Sequence, residues 1–258
     1  MSLASYPRIA DWITVRNGRL LVHSGKVDIG QRISTALAQI AHEELTVPLD
    51  QIDVAPVRTV DAPDEGMTSG SNSIEQSGMA VRSAAATLQA RLRKVLVSRL
   101  GGLPNDWTLE DGVFYRPGTN HRIPVVDLIG DIAPDEPVDT TVAPRLRSKD
   151  AVPRPPMRGI TDMVRGKLIF IHDLDVPGML HARVVRPPHV HARLTSIQPA
   201  ARERLQAQAL QLIEDGSFVA VVGAPEWAVV EAAQKLVSAC DWDKGTGLPE
   251  TDVFTLLN

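Results

Sequence analysis

An α+β fold in two parts is what this sequence predicts, and three patterns predict it. Two Asx-Gly pairs, Asn17-Gly18 and Asp111-Gly112, each lie between short apolar alternations and mark β-hairpins. Two runs with helical spacing, 33–45 and about 74–100, separate them. A stretch rich in Pro, Asp and Arg, 131–156, then divides the chain. The 258 residues, 43% hydrophobic, suffice for one large domain or two ordinary ones.

The first hairpin pairs Ile13 to Val15 with Arg19 to His23 and delivers the chain to Gly25. From Ile33 to Leu45 the apolar positions are 33, 36, 37, 40, 41 and 45, with Pro48 just beyond the end. Gln51 to Val57 reads as a strand after a short connection that suits a helix packed on a sheet. Asp61 to Gly66 is an acidic turn, and Asp61, Asp64 and Glu65 are expected to be solvated. The helix over 74–100 has apolar positions at Ala80, Val81, Ala84, Leu88, Leu92, Val95 and Leu96, and Ser71 or Asn72 can cap it. Arg82, Arg91, Arg93, Lys94 and Arg99 form its solvated face, and Gly101-Gly102 ends it.

Trp107 to Leu109 and Val113 to Tyr115 make the second hairpin, and 123–129 reads as a strand end with a short helix. In the second half, Lys167 to Ile171, Met179 to Val185, Leu194 to Ile197 and Ser217 to Val222 read as strands. Ala200 to Leu210 and Pro225 to Ala239 read as helices, the latter with Pro in its first turn. The expected division is a first domain over 1–130, a linker over 131–158 and a second domain over 159–258.

Composition narrows the partners. A formal charge of −4 and 4% aromatic residues give no reason to expect nucleic acid. The single cysteine, Cys240, excludes an internal disulfide and a cysteine-ligated iron–sulfur cluster within these residues, and reads as a buried small hydrophobe. No apolar stretch has the length of a membrane span. No basic segment followed by an apolar core opens the chain, so a cytoplasmic location is expected. A periplasmic one stays open if the first residues are a cloning remnant.

Two small-residue turns precede the two long helices: Gly30-Gln31, and Thr68 to Ser73. Unpaired N–H groups at a helix start, with the positive end of the helix dipole, favour anions. Glycines admit a ligand to the main chain, and Gln31, Thr68, Ser71, Asn72 and Ser73 can donate hydrogen bonds. Two such turns facing one another would hold something large, polar and phosphorylated. The spacing matches neither a P-loop nor Gly-x-Gly-x-x-Gly, and a plain turn followed by a capped loop accounts for the same residues.

Three separated motifs add a resemblance. Gly25-Lys-Val-Asp-Ile-Gly-Gln31 with Thr35 to Ala41 and Glu43-Glu-Leu45, and Thr68 to Ser73 with Ser77-Gly78, resemble the large subunit of molybdenum hydroxylases. This is the xanthine dehydrogenase and aldehyde oxidoreductase family, in its isoquinoline 1-oxidoreductase or nicotinate dehydrogenase type. Asp173 to Pro188, with Asp215 to Val222 and Trp227, resembles its α/β hammerhead domain. The resemblance implies a partial molybdopterin-binding domain followed by that hammerhead domain. It implies an oxidoreductase that hydroxylates an aldehyde or N-heterocycle with oxygen from water. The cofactor implied is molybdopterin, with the cytosine dinucleotide form as one option, held only in the complete assembly and by no protein side chain at the metal.

Carried over by position, Ile29, Gly30 and Gln31 form one cofactor contact and Thr68, Gly70, Ser71, Asn72 and Ser73 the other. Arg32 stands where the family usually has Gly; it could add charge for a phosphate or crowd the loop. The family's catalytic glutamate lies in a later region, so no catalytic residue is assigned here. Glu43 and Glu44 are expected on the surface. His172, His181, His189 and His191 are read as strand and loop residues, with no metal site assigned.

The partners implied are the remaining molybdopterin-domain segment, an iron–sulfur electron-transfer subunit and a small-molecule substrate, with homo-oligomerisation where the first is lacking. Ile33, Leu37 and Ile40 on one helix, and Val81, Leu88 and Leu92 on the other, are expected to need an outside partner. Two other readings compete: a structural or assembly module of the same fold that binds no cofactor, and an unrelated phosphate-ligand-binding protein.

Overall fold

The computed structural model describes residues 2–146, 155–246 and 252–256. The stretch 147–154 of the expected linker, including Pro153, lies outside the described residues, as does the chain end at 257–258. Two compact units divide between Phe170 and Ile171.

The first unit opens with a short helix, α1 (Ser2–Ser5), and the hairpin β1 (Ile13–Arg16) and β2 (Arg19–Val22). Asn17 and Gly18 both take positive φ, 53° and 70°, as a tight turn that follows the strand twist requires. Helix α2 (Ile33–Leu45) leads to β3 (Ile52–Val54), which pairs parallel with β2 through Leu20↔Ile52 and Val22↔Val54. The expected strand over 51–57 is thus shorter than its apolar run. A π-helical turn, Ile74–Gly78, continues into α3 (Met79–Leu100). An antiparallel meander follows: β4 (Thr108–Glu110), β5 (Val113–Tyr115) and β6 (Arg122–Pro124), then α4 (Val125–Leu128).

Leu37, Leu45, Val81, Leu88, Leu92 and Leu96 from the helices meet Trp12, Leu20, Val22, Ile52, Trp107 and Phe114 in one core. This corrects the expectation that the apolar faces of α2 and α3 need an outside partner. Ile33, Leu37, Val81, Leu88 and Leu92 are buried within this unit, and Ile40 packs against the same core.

One further expectation holds in part and another is overturned. On the cationic side of α3, Lys94 and Arg99 are exposed as expected, but Arg82, Arg91 and Arg93 are half-buried. Arg91 Nε binds Glu136 at 2.5 Å, Arg99 binds Asp131 at 2.5 Å, and Arg93 donates to the Pro104 and Trp107 carbonyls. Burial lowers the Arg93 pKa from its ordinary value. The acidic segment expected to be linker therefore has a cationic surface to lie on. It adds backbone bonds from Ile9 N to Glu136 O (2.9 Å) and from Val138 N to Pro7 O (2.7 Å).

Glu44, expected on the surface, is buried at 2% exposure. It accepts from Arg82 Nε (2.9 Å) and from the Arg145 amide (2.9 Å). A buried carboxylate needs such partners, and both come from positions distant in sequence.

His23 directly follows β2 and lies 2.8 Å from Thr14 Oγ1 through its Nε2. Burial lowers its pKa, while Asp61 and Asp11 oppose that shift. Above the ordinary imidazole value of about 6.5 both folded and unfolded states are neutral, so stability is whole. As the pH falls through that value the unfolded chain takes the proton first, and stability drops. The melting temperature of the first unit is expected to decrease between about pH 7 and pH 5, with a smaller decrease in His23→Gln. An identical slope in the variant would contradict this.

The second unit carries α6 (Pro199–Ala207) and α7 (Glu226–Val237) with β7 (His181–Val185), β9 (Gln211–Asp215) and β10 (Phe218–Gly223) in a sheet ordered β7-β10-β9. Strand β8 (Arg193–Ile197) pairs with β11 (Cys240–Asp243), with an irregularity between Asp241 and Trp242. Helices α5 (Ile160–Val164), in the first unit, and α8 (Val253–Leu256), in the second, are the remaining α-helices among the described residues. The strand expected over Lys167 to Ile171 does not form: its apolar run finds no pairing neighbour, and a 3-10 turn covers Ile171–Asp173. Cys240 is buried among Ile197, Leu236 and Ala239, and burial raises its thiol pKa. Among the described residues no helix is long and apolar enough to cross a membrane, and no group of three His, Cys, Asp or Glu is placed to hold a metal ion.

Candidate functional site: two loops at neighbouring strand ends

Strands β2 and β3 run parallel and adjacent, so their carboxyl ends open on the same side. The loop 23–32 leaves β2 and enters α2; the loop 55–73 leaves β3 and enters the helical run that becomes α3. Crevices outside the carboxyl ends of parallel strands, before helix starts, are where α/β units hold anionic ligands.

The two loops are joined at their roots. Lys26 is buried, and its Nζ donates to the carbonyls of Glu65 (2.6 Å) and Met67 (3.1 Å). Val27 N donates to Thr68 Oγ1 at 2.9 Å. One Glu65 carboxylate accepts from Gly25 N (2.8 Å), Ser2 Oγ (2.6 Å), Ser24 Oγ (3.3 Å) and Ser77 Oγ. Glu65 is thus not the solvated turn residue expected. Its donors Ser24 and Ser77 are buried, and a carboxylate that accepts several bonds there replaces the water it loses.

Gly25 serves this junction. A Cβ at that position would overlap the Pro63 carbonyl oxygen and lie 3.0 Å from Glu65 N. The absent side chain admits the other loop.

The tips differ from each other. In the first, Asp28 Oδ1 accepts from Gly30 N (3.1 Å) and Arg32 N (3.2 Å), and its Oδ2 accepts from Ser34 Oγ (3.1 Å). Gln31 Oε1 accepts from Ile29 N (2.7 Å), and Gln31 Nε2 donates to Val27 O (2.9 Å). The donors expected to face an anion are therefore held by the loop's own side chains.

In the second tip, Gly70 and Ser71 both take positive φ, 64° and 58°. Ser73 makes no side-chain cap for the helical run that follows, and Asn72 bonds to it through its backbone carbonyl, which accepts from Gln76 N at 2.8 Å, not through the expected side-chain cap. Ser73 already has helical φ and ψ, −61° and −40°, whereas a capping residue needs an extended backbone. The first N–H groups of this run consequently lack a side-chain cap from it. Ser69, Gly70 and Ser71 are exposed, with Thr68, Asn72 and Ser73 partly so. Two large apolar side chains flank the tips: Ile29 is 65% exposed and Met67 81%.

Arg32 does not crowd the tip. It is buried, takes left-handed φ of 59°, donates to the Arg158 carbonyl and lies 3.5 Å from Asp28. The positive φ explains why glycine suits this position. Beside it a cleft of about 330 Å³ is lined by Lys26, Asp28, Arg32, Ser34, Val54 and Leu168.

The family described as "Molybdopterin cofactor-binding domain" matches residues 10–143, which include both loops. The chain belongs to the molybdopterin cofactor-binding domain family. It is 31% identical over 256 residues to one of the subunits of nicotinate dehydrogenase from Pseudomonas putida, covering 91% of this chain and 20% of that one. It is 32% identical over 91 residues to xanthine dehydrogenase/oxidase of Gallus gallus, covering 35% of this chain and 7% of that one. The solved structure of Cu,Mo-CO dehydrogenase in its carbon monoxide-reduced state aligns at 25% identity and a TM-score of 0.40. That alignment covers 45% of this chain and 15% of the other. The chain therefore spans a fifth or less of the length of these relatives.

Proposed function

We propose that this chain supplies one wall of the pterin site of a molybdenum hydroxylase assembly. The observation that carries the reading is the pair of loops at neighbouring strand ends, bonded root to root, within the span that the family matches. The residues suit a pterin's polar tail best at the second loop, where an uncapped helical run and exposed small polar residues supply donors. Thr68, Gly70, Ser71, Asn72 and Ser73 would hold the tail there, with Ile29, Gly30 and Gln31 flanking it. The chemistry the bound cofactor would supply is two-electron oxidation of an aldehyde or N-heterocycle carbon, with water as the oxygen source. This chain contributes position rather than an acid or base: Glu44 is committed to Arg82 and Glu65 to the loop roots.

The proposal extends to partners. A remaining molybdopterin-domain segment would close the groove, and an iron–sulfur subunit would remove the electrons. The second unit would be the hammerhead domain, and the tail would carry cytosine dinucleotide. The test is co-expression of this chain with those two partners, followed by molybdenum and pterin analysis of the purified assembly. Stoichiometric molybdenum and pterin are expected.

A second reading, an assembly module of the same fold that binds no cofactor, draws on the Asp28 carboxylate already bonded to Gly30 N and Arg32 N. A stable assembly with neither molybdenum nor pterin would establish it and overturn the first.

A further inference from the structure

We infer that Glu65 is the positioning residue that sets the two cofactor loops at their working separation, an inference that rests on the pterin-site reading above. Its side chain touches neither tip. It collects four donors at the loop roots: Gly25 N and Ser24 Oγ from the first loop, Ser77 Oγ from the π-helical turn after the second loop, and Ser2 Oγ from α1. Its own carbonyl accepts Lys26 Nζ at 2.6 Å. Glu65 is therefore bonded to the root of one tip and to the helical turn beyond the other. Both tips project from this junction, which holds Lys26, Ser24 and Ser77 away from solvent.

The carboxylate accepts all four bonds, three of them at Oε2 and one at Oε1. A glutamine keeps one acceptor oxygen and no charge, so the bonds that remain are weaker, and Ser2 Oγ must turn round to accept from its N–H group. With Glu65→Gln the shared anchor of the loops is weakened while the core of α2, α3 and the sheet remains.

The test uses the full chain in the co-expressed assembly, with Glu65→Gln beside Leu92→Ala, a core change remote from the loops. In the isolated chain, amide exchange at Gly25 and Val27 is expected to quicken at least about tenfold in Glu65→Gln, the loss of one charge-assisted bond. In the assembly, pterin is expected to dissociate about tenfold or more faster from Glu65→Gln than from wild type. Leu92→Ala is expected to lower the melting temperature without changing that rate. Equal pterin dissociation from Glu65→Gln and wild type overturns the positioning role, as does an equal acceleration in Leu92→Ala. A wild-type assembly free of pterin overturns the pterin-site reading instead, and the positioning role with it.

Discussion

Replacing Gly25 with alanine is expected to destabilise the first unit by about 3 kcal/mol and lower its melting temperature by about 6–12 °C. The cause is space, not backbone conformation. The new methyl would overlap the Pro63 carbonyl and press on Glu65 N. A carbonyl fixed in a loop cannot rotate away as a flexible side chain can, so the segment 63–65 must withdraw. Withdrawal breaks the bond from Gly25 N to Glu65 and pulls on those from Lys26 Nζ to the Glu65 and Met67 carbonyls. Gly30→Ala is the informative contrast. Nothing lies within 4 Å of a Cβ there, and only the φ of 107° opposes alanine. That change is expected to cost about 1–2 kcal/mol. Thermal melts of both variants check the order, and a greater loss in Gly30→Ala would contradict it.

Glu44→Ala is expected to cost about 3 kcal/mol as well. The carboxylate is buried at 2% exposure and ties α2 to Arg82 of α3 and to the Arg145 amide. Its removal strands two donors. Water reaches Arg82, whose side chain is 29% exposed, which keeps the loss below the upper range for a broken buried pair. A second consequence is local: amide exchange at Arg145 is expected to rise with the loss of its acceptor. A melting temperature within about 1 °C of wild type would contradict the role assigned to Glu44.

The sequence made the helices and hairpins of the first unit readable because each depends on local periodicity. Leu37, Ala41 and Leu45 repeat at helical spacing, and Asn17-Gly18 carries its own turn chemistry. What it concealed depends on partners far along the chain. Glu65 sits between Asp64 and Gly66 in a run that looks solvated; the buried serines that bond to it are 41 and 12 positions away. Gly25 gave no local sign of its role, because the Pro63 carbonyl that fills its side comes from far along the chain. Strand β11 was legible in principle, since Cys240 and Trp242 alternate with Asp241 and Asp243, but it follows α7 so closely that it reads as the end of the helix. Strand β9 shows little alternation: Leu212 and Ile213 are adjacent, and Leu212 packs against the core while Ile213 is exposed.

The candidate site divides in the same way. Thr68 to Ser73 announced itself by composition, and the structure places it before an uncapped helical run. The engagement of Asp28 with the Gly30 and Arg32 amides had no local signal beyond a carboxylate two positions before a glycine.

The central claim is that both loops serve one ligand, and amide exchange across cofactor loading of the assembled enzyme tests it most directly. Simultaneous protection of 29–31 and 68–73 on loading is the result expected. Loading that protects one segment and leaves the other unchanged would show that the loops do not share a site.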